Sequence, residues 1–284
     1  MADPILRKKL DAREFFVAPG MQDMIAAVIA NKVGFDIVYG TGYWLTASAS
    51  GLPDAGIATF TQMLDRMATL VRTSNAAVIA DADTGYGGLL NVHHTVRGYE
   101  EAGVSGIQFE DQEFPKKCGH TPFKRVIPAE DMADKIRVAC AARRDPATVI
   151  IARTDARAGE GIEAAIARLQ LYADAGADVL FFEAPQGEEE MRRACDALKR
   201  PMMANMSNGG LSPMLTAKQL EDIGYAFAIF PALTSLSAAT AMESALNRLK
   251  ATGDGNPDGL FDFKEFCSLI GFEDVWAFER QWAK

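Results

Sequence analysis

AVIADAD, residues 77–83, carries four apolar residues straight into aspartates at 81 and 83. A strand with one wetted face alternates apolar and polar residues, so a continuous apolar run indicates cover on both faces, as in a parallel sheet under helices. Seven further runs have the same character: FFVAPG from Phe15, DIVYG from Asp36, GIQFED from Gly106, TVIIARTD from Thr148, ADVLFFEA from Ala177, PMMANMS from Pro201 and YAFAIFPA from Tyr225. Between them lie amphipathic segments such as TFTQMLDRMATLVRTS, PAEDMADKIRVACAARR and GIEAAIARLQLYADAGAD, which start near Thr, Pro or Gly and often end near Gly or Asn. Eight such strand–helix pairs predict a (β/α)8 TIM barrel, a single α/β domain of roughly 250 residues. An open doubly wound sheet is the competing architecture, but no G-x-G-x-x-G follows the first strand.

The rhythm stops near Gly253. DGNPDG reads as a linker, and FKEFCSLIGFEDVWAFERQW reads as a helical tail whose aromatic residues need a partner surface. The expected division is therefore a catalytic barrel over residues 1–253 and a C-terminal helical segment over 254–284 that packs on a neighbouring subunit. Ile223 to Met242 is uncharged, yet Pro231 and its Ser, Thr and Ala content fit a buried strand and helix start better than a membrane span.

Bulk composition narrows the partners. The 284 residues are 49% hydrophobic and 24% charged, with a formal net charge of -9. Nucleic acid and anionic membranes both require a basic face, so neither is expected, and an anionic substrate must meet locally placed cations. The N-terminal MADPILRKKLDAREFF lacks a secretory apolar stretch, which predicts a cytoplasmic protein. The four cysteines show no C-x-x-C pairing, so neither a disulfide framework nor a zinc site is indicated.

In a (β/α)8 barrel the chemistry lies at the C-terminal ends of the strands. Those ends carry Tyr39, Thr41 and Gly42 after strand two, Asp81 and Asp83 after strand three, and Glu110 and Asp111 after strand four. Arg153 and Asp155 follow strand five, Glu183 strand six and Asn205 strand seven. Buried carboxylates need a partner or a metal. Asp81, Asp83 and Glu110 form an oxygen-rich, histidine-free set suited to Mg2+, with Mn2+ the other cation such oxygens accept. Salt bridges at strand ends explain any one of these carboxylates less well than a metal explains all of them. Arg153 is suited to a substrate carboxylate, or to balancing Asp155 or Glu183.

EDQEFPKKCGHTPFKR, residues 110–125, is a long polar loop of the kind that covers a barrel mouth. Cys118, flanked by Lys116, Lys117 and His120, is placed to act as nucleophile or proton donor; basic neighbours favour the thiolate and so oppose the acid role. His93 and His94 read as helix-face residues, and Cys140, Cys195 and Cys267 as packing.

EDQ followed by KKCGH, after a DADTGYG strand end, resembles the isocitrate lyase and phosphoenolpyruvate mutase superfamily. SGLPDAG at 50–56, IARTDA at 151–156 and FFEAP at 181–185 occur in the family's order, so the resemblance spans nearly the whole chain. It implies a homotetrameric barrel with an exchanged C-terminal helix, a Mg2+ site, and di- or tricarboxylate substrates of the 2-hydroxy or 2-keto type. By position, Asp83 resembles the metal-side aspartate, with Asp54, Asp81 and Glu110 holding metal waters. Tyr39, Thr41, Gly42 and Arg153 resemble the keto-acid binding group, and Gly119, His120, Asn205 and Ser207 join the substrate-binding set. Lys116 to His120 resembles the gating loop of the family's carbon–carbon lyases, with Lys117 in the catalytic set and Cys118 as acid.

ANMSNGGLSP at 204–213 resembles the ANM-x-x-GG stretch of the 2,3-dimethylmalate lyase and petal death protein branch more than the N-I-T-E-F stretch of methylisocitrate lyases. Asn208 and Leu211 replace a glutamate and a lysine of that branch, and the bulk of Tyr43 and Trp44 implies a compact substrate. The expected reaction is Mg2+-dependent cleavage of the C2–C3 bond of a 2-hydroxy dicarboxylate, an oxo-acid-lyase reaction. Tyr39, Glu110 and Glu183 are candidate bases. An oxaloacetate hydrolase and a non-catalytic dicarboxylate-binding barrel are the competing readings.

Overall fold

The computed structural model describes residues 1–283. Eight parallel strands close into a barrel in chain order: β1 (Phe16–Met21), β2 (Ile37–Gly40), β3 (Ala77–Asp81), β4 (Gly106–Glu110), β5 (Val149–Thr154), β6 (Val179–Phe182), β7 (Met202–Asn205) and β8 (Phe227–Phe230). Each falls within one of the apolar runs, save that β1 continues one residue further, to Met21. Closure is made by β1 against β8, where Phe16 pairs with Phe227 and Pro19 with Phe230.

Strand alternation explains why the runs carry no polar face. In β3, Ala77 and Ile79 point into the barrel, where they join Phe16, Ile37, Val149, Val179 and Phe227. Val78 and Ala80 point outward into a second layer with Val38, Ile107, Ile150 and Leu180, under the helices. Both faces are dry, which is what uninterrupted apolarity signalled.

Helices α1 (Ile5–Ala12), α2 (Met24–Val33), α3 (Gly42–Ser50), α4 (Phe60–Thr73), α5 (Leu89–Ala102) and α6 (Ala129–Ala142) belong to the first half of the chain. The second half carries α7 (Arg157–Asp174), α8 (Glu188–Ala197), α9 (Ala217–Ile223), α10 (Leu233–Thr252), α11 (Phe263–Leu269) and α12 (Phe272–Trp282). The first of these stands outside the strand–helix rhythm. Leu6 and Leu10 of α1 are buried against the barrel interior, so the helix plugs the floor opposite the functional mouth. Arg7 secures it through Asp178 at 2.9 Å and the Thr148 carbonyl at 3.0 Å.

The tail is helical, as its pattern implies, but breaks at Gly271, whose φ of 88° lies in the left-handed region. The two pieces differ in their contacts. Glu265 of α11 pairs with Lys32 of α2, and Lys32 also lies over the Phe261 ring. By contrast α12 buries none of its residues and leaves Phe272, Val275, Trp276, Phe278 and Trp282 exposed. Among the described residues no helix is long and apolar enough to cross a membrane.

Candidate active site

The strand ends and the lid enclose a cavity of about 250 Å³ at the C-terminal mouth. Tyr39, Thr41, Asp54, Asp81, Glu110, Arg153, Glu183, Asn205 and Ser207 line it, together with Lys117, Cys118, Gly119 and His120 of the lid. Gly42 and Asp83 stand just behind. A Cβ built on Gly42 would lie 2.9 Å from Asp81 Oδ2 and 3.3 Å from Asp83 Oδ1, so both carboxylates converge on the space that this glycine leaves. Asp83 reaches it from a left-handed backbone (φ 49°), with its N–H donating to Asp81 Oδ1 at 3.0 Å.

Lys116 occupies the middle of the oxygen cluster. Its ammonium is paired with Asp54 and lies 2.7 Å from Asp83 Oδ1, with the lysine side chain 2% exposed. Burial raises the Asp83 carboxyl to about 6 despite that ammonium. Burial also pushes Glu110 well above the carboxylate range, against the opposing pull of Arg153 and Lys116. For Lys116 burial acts the other way, but Asp83, Glu110 and Asp54 outweigh it and keep the ammonium charged.

This donor set fits Mg2+. Every donor is an oxygen, and Asp81 and Asp83 converge on the space beside Gly42. Burial disfavours the charged forms of Asp83 and Glu110 even with Lys116 2.7 Å from Asp83 Oδ1, so a further cation would stabilise both. Among the described residues no three His, Cys, Asp or Glu side chains are gathered tightly enough to enclose an ion unaided.

Arg153 divides its guanidinium between structure and site. Nε and Nη2 donate to the two oxygens of Asp155 at 2.8 and 3.0 Å, while Nη1 lies 3.4 Å from Glu110 Oε2. Glu183 is buried, which alone would raise its pKa, but Arg153 and the His120 hydrogen bond prevail and hold it well below the carboxylate range. His120 Nδ1 accepts the Leu211 N–H at 3.1 Å, which leaves Nε2 to face Glu183 Oε1 at 3.0 Å. Asn205 Nδ2 donates to Glu183 Oε2 at 3.2 Å. Tyr39, raised by burial, keeps its proton and donates it to Gln108 Oε1 at 2.6 Å.

The lid corrects the expectation for Cys118. Lys116 turns away into the carboxylates, and Lys117 is exposed, its backbone bracketed by the Gln112 side chain at 3.0 and 2.8 Å. Burial is then the largest influence on the Cys118 thiol and pushes its pKa up, which favours the S–H form. Thr121 closes the turn on the Cys118 carbonyl with its N–H at 3.0 Å and its hydroxyl at 2.7 Å. Gly119 presses on the barrel so closely that a Cβ there would overlap Arg153 and Glu183.

Charge is segregated around the mouth. The strand ends of β2 to β6, the loop at Asp54 and the lid supply the ionisable groups, and Tyr43 and Trp44 of α3, Asn205, Asn208, Ile229 and Leu236 of α10 supply the neutral part of the lining. Within the lining, the fixed cations Lys116 and Arg153 are already paired with carboxylates.

The strand-end rule brought the principal residues to one mouth, but it did not single out Gln108, Gln112 or Lys124. Gln108 and Gln112 orient Asp81 and Glu110 at 3.3 and 3.0 Å. Gln108 had a detectable signal, a polar residue inside an otherwise apolar strand.

Comparison with known proteins agrees with this geometry. The family model described as phosphoenolpyruvate phosphomutase matches residues 6–250. The chain is 42% identical to 2,3-dimethylmalate lyase of Eubacterium barkeri, over 98% of this chain and 97% of that protein. It is 40% identical to 2-methylisocitrate lyase of Bacillus subtilis (strain 168), over 98% and 92%. Among solved structures, oxaloacetate acetylhydrolase in complex with 3,3-difluorooxalacetate superposes with a TM-score of 0.92 at 35% identity, covering 97% of this chain and 95% of that one. Phosphonopyruvate hydrolase complexed with oxalate and Mg2+ superposes with a TM-score of 0.89 at 30% identity, covering all of both chains.

Proposed function

Because the chain belongs to the PEP mutase/isocitrate lyase superfamily, we propose that its mouth cleaves the C2–C3 bond of a 2-hydroxy dicarboxylate, releasing pyruvate or a related keto acid and a carboxylate. The observation that carries this reading is the placement of the Cys118 thiol, which the lid holds at the same cavity as Asp81, Glu110, Arg153 and Glu183. A protein that only bound dicarboxylates would have no use for a proton donor there.

Asp83 would hold Mg2+ directly, with Asp54, Asp81 and Glu110 on its waters. When bound, the metal supplies positive charge that acidifies the 2-hydroxyl and stabilises the keto oxygen. The chain's own groups account for the proton movements. Tyr39, Glu110 and Glu183 are the candidate bases, and one of them receives the hydroxyl proton. Tyr39 is engaged with Gln108, burial favours the neutral form of Glu110, and Arg153 and His120 weaken Glu183 as a base. The C2–C3 electron pair passes to C3, and Cys118 donates its proton there. Return of the proton from that base to the thiolate through solvent resets the site. Arg153 Nη1 is directed at the carboxylate end of the substrate.

The likeness to 2,3-dimethylmalate lyase over 98% of this chain supports a 2-alkylmalate such as 2,3-dimethylmalate, and the likeness to 2-methylisocitrate lyase makes methylisocitrate the other candidate. The test is keto-acid release, coupled to lactate dehydrogenase, from 2-alkylmalates, 2,3-dimethylmalate, methylisocitrate and oxaloacetate with Mg2+ and with EDTA. Metal-dependent pyruvate from an alkylmalate is the expected result. The structural likeness to oxaloacetate acetylhydrolase supports one other outcome, oxalate plus acetate from oxaloacetate. Silence across the panel sinks both.

The same reading extends to assembly. Since α12 (Phe272–Trp282) buries nothing within its own chain while α11 stays on α2, α12 is the piece of the tail that packs on a neighbouring subunit of a homotetramer.

A further inference from the structure

The lid is tied to the barrel by two buried lysines, one on each side of Cys118. Lys116 joins the oxygen cluster. Lys124 has a different anchor: its side chain is 3% exposed, and Nζ donates to Asp155 Oδ1 at 2.9 Å and to the Gly119 carbonyl. That carbonyl belongs to the residue following Cys118, so this contact acts on the thiol's own stretch of backbone.

Asp155 is a firm anchor. Its side chain is 0% exposed, and its N–H donates to Asp111 Oδ1 at 2.9 Å. Asp111 is itself held by Thr154 and Tyr172 at 2.6 and 2.8 Å. The Asp155 oxygen that accepts Lys124 also accepts Arg153 Nη2 at 3.0 Å. One carboxylate oxygen therefore fixes both the lid and the guanidinium. A buried ammonium persists only where such partners repay its desolvation, so Lys124 holds this position only with the lid tip seated.

We infer that Lys124 is a positioning residue, which sets Cys118 against Arg153 through the shared Asp155. It touches no substrate. What Cys118 protonates rests on the lyase reading above, but the placement does not.

The test compares K124M, K124Q and K124R in the full-length, Mg2+-loaded protein. The first readout needs no substrate: the rate at which iodoacetamide alkylates Cys118, followed on its peptide by mass spectrometry. Loosening the lid tip exposes the thiol, and K124M is expected to react about tenfold faster, with Cys140 and Cys195 unchanged and K124R close to wild type. The second readout is keto-acid release, with kcat falling on the order of 10²-fold and KM little changed, as for a misplaced catalytic group. If wild type cleaves nothing, the lyase reading fails while the alkylation comparison still decides the role of Lys124. K124Q, which keeps a donor for the Gly119 carbonyl without the charge, serves if K124M does not fold, and an intermediate acceleration is expected. Alkylation at the wild-type rate, or equal acceleration at all three cysteines, overturns the assignment.

Discussion

Lys116 Nζ lies 2.7 Å from Asp83 Oδ1, so an ammonium from the lid stands where the barrel gathers its oxygen ligands. The lid's own charge thus stabilises the cluster that is suited to a divalent cation. Replacing it with methionine leaves buried carboxylates uncompensated, a loss on the order of 3–5 kcal/mol. K116M should melt well below wild type in EDTA and recover more than wild type on adding Mg2+. Equal Mg2+ effects on the two melting temperatures would show that lysine and metal do not share these carboxylates.

Removal of the thiol should affect chemistry and spare metal binding. C118S replaces an S–H with a far weaker acid, and keto-acid release should fall on the order of 10²- to 10⁴-fold. Mg2+ titration by calorimetry should be unchanged. A full cleavage rate in C118S would remove Cys118 from the acid role.

Arg153 serves Asp155 through two donors and the cavity through a third. Lysine cannot reproduce that fork. R153K should lower kcat/KM by at least about 10²-fold, with KM rising. Steady-state kinetics across the substrate panel check this, and an R153K enzyme with wild-type KM would place the substrate carboxylate elsewhere.

Acid stability should depend on the barrel floor. Burial raises the Asp178 carboxyl, but hydrogen bonds from Arg7 and the Ile150 N–H, together with the Arg143 charge, prevail and hold it below the usual value. A depressed folded-state pKa contributes stability in full above the unfolded value of about 3.9 and loses it as pH falls through the folded value. D178N should therefore melt below wild type at pH 7, and the gap should narrow as pH drops below about 4. A constant gap across that range would exclude Asp178 as a source of the acid slope.

Association should depend on α12. A Trp276→Glu substitution places a charge on its apolar face, and light scattering should show wild-type tetramers giving way to smaller species. A monomeric wild type would end the exchanged-tail assignment.

Much of this architecture was legible because β strands covered on both faces leave an unmistakable apolar run, and a charge at the end of such a run has few explanations. Asp81, Glu110, Arg153 and Glu183 were located in this way. The lid was harder to read. KKCGH places two lysines beside a thiol in sequence, but an extended loop turns successive side chains in opposite directions, and only the tertiary position of Asp54 and Asp83 shows that Lys116 leaves the cysteine. Lys124 was equally obscure, since its partner Asp155 lies 31 positions away. The plug α1 was not assigned from the sequence, because ILRKKLDA offers only two leucines that are buried, among mostly polar residues.

That plug has a consequence for biogenesis. The surface receiving Leu6 and Leu10 includes Phe16 and Phe227, whose rings stack at 4.7 Å across the β1–β8 seam. Part of this seat forms only when β8 closes the barrel. Helix α1 therefore completes its docking after every strand that follows it in the chain is in place, although Leu6 also rests beside Gly106 of β4.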